Sequence, residues 1–138
     1  MAFWDWQADT SVEETHAATA VMFAHVERGE AEYWTARLKD GGAFVGLFDL
    51  NDLRSDVDDL GFMIGRGFQG KGYAFEAATC LLNEVRQRSF SKLKARIHVG
   101  NVRSGRLLDC LGFSHHRQPE VEIRLGEMQP DLFYWIEL

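Results

Sequence analysis

The sequence predicts a mixed α/β (α+β) domain with a central sheet of about six strands and flanking helices. Residues 92–99 alternate polar and apolar side chains, as a half-buried strand does. Residues 39–42 carry an Asp-Gly turn signal between two runs rich in aromatic and branched residues, which indicates an antiparallel hairpin. A helical pattern separates strand-like residues 59–65 from 92–99, and a helix between two strands indicates a parallel crossover. The sheet should therefore be mixed.

Caps and periodicity predict the helices. Ser11 and Glu14 have the spacing of a capping box, and the helix that they open should continue to Gly29. The residues that recur at helical spacing along it are Val12, His16, Thr19, Phe23 and Val26. A second helix should begin after a glycine-rich turn, with an inner face made of Ala74, Ala77, Ala78, Leu81 and Val85. A third should run from about residue 102 to 111 and end at Gly112.

The strands follow from β-branched and aromatic runs between these helices and turns. They are predicted at residues 32–38, 43–50, 59–65, 92–99 and 132–138. The whole chain, 1–138, has 46% hydrophobic and 26% charged residues, which fits one compact domain. No apolar run is long enough to span a bilayer and the first residues lack a signal-peptide pattern, so we expect a cytoplasmic protein.

The charge balance narrows the classes of partner. With 15 Lys+Arg against 21 Asp+Glu the net charge is −6, which disfavours nucleic acid and anionic membranes. One group of acidic residues would suit a cationic amine or would form solvated loops: Asp49, Asp52, Asp56, Asp58 and Asp59. Cys80 and Cys110 lack a second ligand at metal spacing, so buried free thiols are expected and a metal site is not.

Residues 61–74 join an apolar strand to a glycine-rich turn that opens an amphipathic helix. Small side chains let successive backbone N–H groups point into one concavity, and the helix N-terminus adds its partial positive charge. This pattern predicts a pyrophosphate cradle. Gly65, Gly67 and Gly70 also satisfy the G-x-G-x-x-G spacing of a dinucleotide site. That interpretation needs an acidic residue about 20 positions later, where the chain has residues 98–101 (His-Val-Gly-Asn), and we therefore rank it lower.

Two motifs resemble the GNAT superfamily of N-acetyltransferases. Residues 69–74, Gln-Gly-Lys-Gly-Tyr-Ala, resemble its acetyl-CoA loop. Residues 101–113 are similar to the Asn-x-x-Ser helix and Gly-Phe ending of the branch that acetylates ribosomal-protein N-termini. The resemblance extends from about Glu32 to the C-terminus and implies the GNAT fold, with acetyl-CoA as cosubstrate and N-acetylation of a primary amine as the reaction.

The resemblance also implies where acetyl-CoA binds. The backbone of residues 69–74 would hold the pyrophosphate with Arg66 and Lys71 nearby, and an N–H group within residues 62–64 would polarise the thioester. Asn101 would cap its helix, hydrogen-bond the pantetheine, or do both. The cofactor-binding residues predicted in this way are Phe62, Met63, Ile64, Arg66, Gln69, Gly70, Lys71, Gly72, Tyr73, Ala74, Asn101 and Ser104.

The reaction also needs an acid for the departing thiolate and a base for the amine. Leu108 occupies the position at which many family members carry a tyrosine acid. Ser104 either hydrogen-bonds the thioester sulfur or is a first-turn serine. Candidate bases are Asp59, His98 and Glu122. The acceptor is left open among a protein N-terminus, a polyamine and a small-molecule amine, and a catalytically idle acyl-CoA-binding or regulatory domain is the alternative.

The beginning of the chain departs from the family pattern. The family's first strand and helix have no counterpart before Ser11. Phe3, Trp4 and Trp6 form an aromatic cluster that, like the strand at 32–38, would have an uncovered side. We expect a homodimer to cover this edge.

Overall fold

A computed structural model describes residues 10–53, 57–116, 120–124 and 127–138. The helices are α1 (Val12–Glu27), α2 (Tyr73–Val85) and α3 (Val102–Cys110), with a short 3-10 turn at Arg66–Phe68. The strands are β1 (Ala31–Arg37), β2 (Phe44–Asn51), β3 (Val57–Ile64), β4 (Lys92–His98), β5 (Ser114–His115), β6 (Glu120–Arg124) and β7 (Glu127–Glu137).

The described strands form one mixed sheet in the order β1-β2-β3-β4-β7-β5, with β6 paired to β7. The β3–β4 pair is parallel and the other pairs are antiparallel, which confirms the mixed sheet and the crossover through α2. The sheet has seven strands rather than about six. The two unpredicted strands, β5 and β6, are short, and β7 begins five residues earlier than expected.

One face of the sheet carries the core, and α2 covers it as predicted. Its buried residues are Ala78, Leu81, Leu82 and Val85. They belong to one apolar cluster with Leu108 of α3 and with residues that alternate along β2, β3 and β4. These strand residues are Phe48, Leu50, Leu60, Leu93, Ala95 and Ile97. We call this the helix face of the sheet. The opposite face carries the polar half of β4, including Lys94 and His98, because adjacent residues of a strand point to opposite sides.

Helix α1 begins at the cap that the sequence predicts. The Ser11 Oγ accepts a hydrogen bond from the Glu14 N–H at 3.1 Å, whereas the Glu14 carboxylate accepts from Thr10. No residue of α1 is buried, and Val12 and Phe23 are 65% and 64% exposed. The apolar spacing identified the helix correctly but does not reveal which surface, if any, covers it.

Two further expectations concern single residues. Cys80 and Cys110 are free, but both are exposed rather than buried, because they lie on the outer sides of α2 and α3. Phe3, Trp4 and Trp6 lie outside the described residues, as does the chain segment in which the family's first strand was sought. Within the described ranges, no helix is long and apolar enough to cross a membrane.

Candidate active site

The turn between β3 and α2 forms an open concavity. Gly70 and Gly72 have φ angles of +73° and +83°, in the left-handed region that disfavours other residues. A Cβ added at Gly67, Gly70 or Gly72 would meet no described atom within 4 Å, so the turn has free space on its outer side. Gly72 is also the N-cap of α2 and has no side chain to cap it, which leaves the first N–H groups of the helix available to an anion.

Gln69 connects this turn to two other elements. Its Nε2 donates to the carbonyl oxygen of Ile64 at 2.9 Å, and its Oε1 accepts from the Nη1 of Arg103 at 2.8 Å. Arg103 lies in the first turn of α3. The two motifs found in the sequence are therefore in direct contact.

The other side chains of the turn are held to different degrees. Arg66 and Lys71 are exposed, as expected of cations that would meet a phosphate from solvent. Tyr73 and Ala74 are half-buried, and the Tyr73 ring packs edge-on against Phe68 with a centroid distance of 6.1 Å. This aromatic contact connects the 3-10 turn to the first residue of α2.

A gap opens between β3 and β4 beside the turn. In the described chain, the two strands pair only from Val57/Lys92 to Asp59/Lys94 and then separate. Beyond Asp59, no described strand pairs with the outer side of β3.

The ladder with β2 shows which amides face this gap. The N–H of Gly65 donates to the carbonyl of Val45 at 2.9 Å, in the same register as the β2–β3 pairs. Because hydrogen-bonding pairs alternate along an antiparallel ladder, the amide of Met63 points to β2. The amides of Phe62 and Ile64 point to the gap, while the side chains of these two residues pack against the core.

Asn101 and Ser104 form the start of α3. The Asn101 Oδ1 accepts a hydrogen bond from the Ser104 N–H at 3.3 Å, so Asn101 is the N-cap. Ser104 is half-buried in the first helical turn. Leu108, one turn later, is fully buried in the core. The position at which many family members carry a tyrosine therefore holds an apolar side chain.

The structure brings a tyrosine of β7 to this helix. Tyr134 is 3% exposed, and its hydroxyl lies 3.1 Å from the place where a Cβ of Gly105 would be. Burial raises the pKa of Tyr134, and the negative charge of Asp109 adds to this effect. The position of Tyr134 under α3 depends on the pairing of β7 with β4, and no local pattern in the sequence reveals that pairing.

Asp59 and His98 lie at opposite ends of the gap. Asp59 is paired with Lys94 where the two strands last meet, and His98 lies four residues further along β4, roughly 13 Å away at the rise of a strand. The Nδ1 of His98 accepts the N–H of Gly100 at 2.9 Å, so this nitrogen is occupied by the turn before α3. The two candidates therefore cannot serve the same reacting atom.

Two further acidic residues, Asp49 and Glu122, lie in strands. Asp49 does not belong to a solvated loop: it lies within β2, opposite Gly61 of β3. Burial raises the pKa of the Asp49 carboxyl, a hydrogen bond from Asn51 lowers it, and the charge of Asp59 raises it. Glu122 lies in β6, and its side chain is outside the described part of the structure.

Comparison with known proteins gives a consistent result. A family model described as an acetyltransferase (GNAT) domain matches residues 1–114. The [ribosomal protein uS5]-alanine N-acetyltransferase of Escherichia coli is 36% identical over 103 residues, which cover 58% of this chain and 53% of that protein. The chain thus matches only about half the length of this curated relative.

Solved structures share the fold at lower identity. The ribosomal L7/L12 α-N-protein acetyltransferase RimL, in complex with coenzyme A, has a TM-score of 0.80 and 18% identity over 94% of this chain and 74% of that one. Spermidine N-acetyltransferase from Vibrio cholerae, in complex with coenzyme A and spermine, has a TM-score of 0.81 and 17% identity over 98% of this chain and 80% of that one.

Proposed function

Since the chain belongs to the GNAT acetyltransferase family, we propose that it transfers an acetyl group from acetyl-CoA to a primary amine. The observation that carries this proposal is the open glycine turn beside the β3–β4 gap, joined to α3 through Gln69 and Arg103. A diphosphate needs N–H donors and positive charge at one place, and an acyl chain needs a slot next to it. The turn and the gap provide both.

The binding residues follow from this geometry. The backbone of residues 69–74 and the N-terminus of α2 would hold the pyrophosphate, with Arg66 and Lys71 adding charge from the exposed side. Phe62 or Ile64 would donate its N–H to the thioester carbonyl, because these amides face the gap. Asn101 would keep its role as the N-cap of α3 and would also hydrogen-bond the pantetheine.

The departing thiolate needs a proton. Ser104 is the candidate donor of the branch that the sequence resembles, and its half-buried position in the first turn of α3 is compatible with that role. Asp59 and His98 are the candidate bases at the two ends of the gap, and His98 would have to act through its Nε2, since its Nδ1 accepts a backbone N–H.

The acceptor is proposed at the level of its chemistry. The curated relative acts on the alanine of a ribosomal protein, and one structural neighbour holds spermine. Both acceptors present an amine that is a cation before it reacts, and the net charge of −6 favours a cation. A peptide N-terminus and a polyamine are therefore the first two classes to test.

A catalytically idle acyl-CoA-binding domain is the second candidate. The observation that favours it is Leu108, which is buried in the core at the position where many family members carry a tyrosine. Turnover with an N-terminal-alanine hexapeptide or with spermidine would exclude this alternative.

Calorimetric titration with acetyl-CoA tests the binding site, with NADH as the comparison ligand. Gly72→Val places a branched side chain in the concavity and strains a backbone with φ of +83°. Gly42→Val is the matched control, because Gly42 has φ of +66° and equally free space in the distant hairpin turn. We expect Gly72→Val to lose acetyl-CoA binding and Gly42→Val to retain it. Equal loss in both, or tighter binding of NADH, would contradict the proposal.

The proposal includes a homodimer and a cytoplasmic location. Among the described strands, β1 lies at an edge of the sheet, and Val21 and Phe23 on α1 are exposed, which supports an interface on that side. Light scattering coupled to gel filtration would give the mass of the particle. A Phe23→Glu variant that keeps the same mass as the native protein would argue against this surface.

A further inference from the structure

The carboxylate of Asp49 occupies the space of a missing side chain. Asp49 in β2 is directly opposite Gly61 in β3, and residues paired in this way point to the same face of the sheet. A Cβ at Gly61 would collide with both carboxylate oxygens of Asp49. The carboxylate therefore leans across β3, and it can do so only because residue 61 is glycine.

This position is at the narrow end of the β3–β4 gap, where the two strands begin to separate. The last β3–β4 pair is Asp59/Lys94, and Gly61 is two residues further along, roughly 7 Å at the rise of a strand. Phe62, which follows Gly61, directs its N–H into the gap. A carboxylate over Gly61 is thus beside the amide that would polarise the thioester, on the face of the sheet opposite α2.

The surroundings of Asp49 suit the capture of a cation. Asn51 donates its Nδ2–H to the Asp49 Oδ1 at 2.5 Å and holds the carboxylate in place. The titratable groups on neighbouring strands are Tyr33 opposite Asp49 on β1, Asp59 on β3 and Lys94 on β4. Lys94 is drawn toward Asp52, with an Nζ to Oδ2 distance of 3.6 Å.

A cleft lies beside Asn51, the residue that holds the Asp49 carboxylate. It is lined by His25, Glu30, Asn51, Asp52 and Leu53. Asn51 belongs to the wall of the cleft and is also the hydrogen-bond partner of Asp49. A chain that carries an amine at its tip could lie along the cleft with the tip at Asp49.

We propose that Asp49 is a catalytic residue that binds the ammonium group of the acceptor at the narrow end of the gap and takes a proton from it. This inference rests on the proposed acetyl transfer. One proton of the ammonium group moves to the Asp49 carboxylate, and the nitrogen forms a bond to the acetyl carbon as the bond from that carbon to sulfur breaks. Ser104 gives its hydroxyl proton to the thiolate and takes the second ammonium proton in its place, and the third proton remains on the nitrogen of the amide product. Partial burial strengthens the carboxylate as a base, because it destabilises the charged form.

The test compares three variants in two assays. Asp49→Asn keeps the shape and the bond to Asn51 but removes the charge. Gly61→Ala keeps the charge but pushes the carboxylate aside. Asp40→Asn removes an exposed charge in the distant turn between β1 and β2 as the control. The assays are calorimetric binding of spermidine and of an N-terminal-alanine hexapeptide in the presence of coenzyme A, and kcat/KM for acetyl transfer to both.

We expect Asp49→Asn to bind acetyl-CoA within about twofold of the native protein and to lose roughly 100-fold or more in kcat/KM. Gly61→Ala should lose activity in the same direction, and Asp40→Asn should stay within about threefold. Amine binding should weaken in Asp49→Asn even if turnover is slow.

Three results would overturn the assignment. The first is unchanged amine binding and kcat/KM in Asp49→Asn, and the second is an equal loss in Asp40→Asn, which would indicate a general effect of the lost negative charge. The third is failure of the native protein to bind either amine. Failure of the proposed function is distinguishable from these, because it would appear as absent acetyl-CoA binding, or as absent transfer despite amine binding that depends on Asp49.

Discussion

The guanidinium of Arg103 donates a hydrogen bond to the side-chain oxygen of Gln69 at 2.8 Å, across 34 residues of sequence. Gln69 also donates to the carbonyl of Ile64, the last residue of β3. One side chain therefore connects the end of a strand, the glycine turn and the first turn of α3. We infer that the two sequence motifs act as one unit whose relative placement depends on this contact.

Removing the Gln69 side chain should loosen that unit. We expect Gln69→Ala to weaken acetyl-CoA binding by roughly three- to tenfold with little change in the unfolding free energy, because both partners are exposed. Calorimetry on the single variants and on Gln69→Ala/Arg103→Ala measures the coupling between them. Exposed Gln87, which follows α2, provides the control Gln87→Ala. Strictly additive effects of the two substitutions would show that the hydrogen bond does not matter for binding.

Ser104 should act in the chemical step rather than in folding. Its backbone N–H is the donor to the Asn101 cap, and Ser104→Ala leaves that bond intact. We expect kcat for acetyl transfer to fall by roughly 100-fold, with a much smaller change in the acetyl-CoA dissociation constant. Steady-state kinetics and calorimetry provide the two quantities, with Ser114→Ala in exposed β5 as the control. A kcat equal to that of the native protein would leave Ser104 with a first-turn role only.

Gly46 should be required for the contact between β2 and β3. A Cβ there would collide with the backbone carbonyl oxygen of Met63 and lie 2.7 Å from the Cδ1 of Ile64. Because a carbonyl in a ladder cannot move aside alone, Gly46→Ala should lower the unfolding free energy by roughly 1–3 kcal/mol. Urea denaturation measures this, and Gly67→Ala, which adds its methyl group to open space, is the control. Equal midpoints for the two variants would mean that the strands can separate without cost.

Asp49 should make stability depend on pH. Its folded-state pKa is raised, first by burial, so the folded chain holds this proton over a range of pH in which the unfolded chain has released it. Its contribution to stability is greatest below the unfolded pKa of about 3.9 and falls as pH rises through the raised folded pKa. The stability of Asp49→Asn relative to the native protein should thus increase with pH over this window and then level off. Urea midpoints measured from pH 4 to 8 would reveal it, and a difference that does not vary with pH would contradict the raised pKa.

Much of the fold could be predicted because its determinants are local. The cap at Ser11, the turn before Phe44, the alternation along β4 and the glycine turn before α2 each depend on residues within about one turn or one strand of each other. The α2–β4 crossover then follows from element order. The same locality explains the errors: β5 and β6 are too short to have a period, and the spacing of α1 gave no information on what covers Phe23.

For the candidate site, the sequence by itself determined the glycine turn, since left-handed φ angles at Gly70 and Gly72 demand glycine and that demand is visible in the residues themselves. Only the tertiary structure decided which amides face the gap, where Asp49 lies and that Tyr134 reaches α3. These facts depend on register between strands that are distant in sequence, and a shift of one residue would turn each side chain to the other face. No local pattern records that register, because it is set by the packing of the whole sheet.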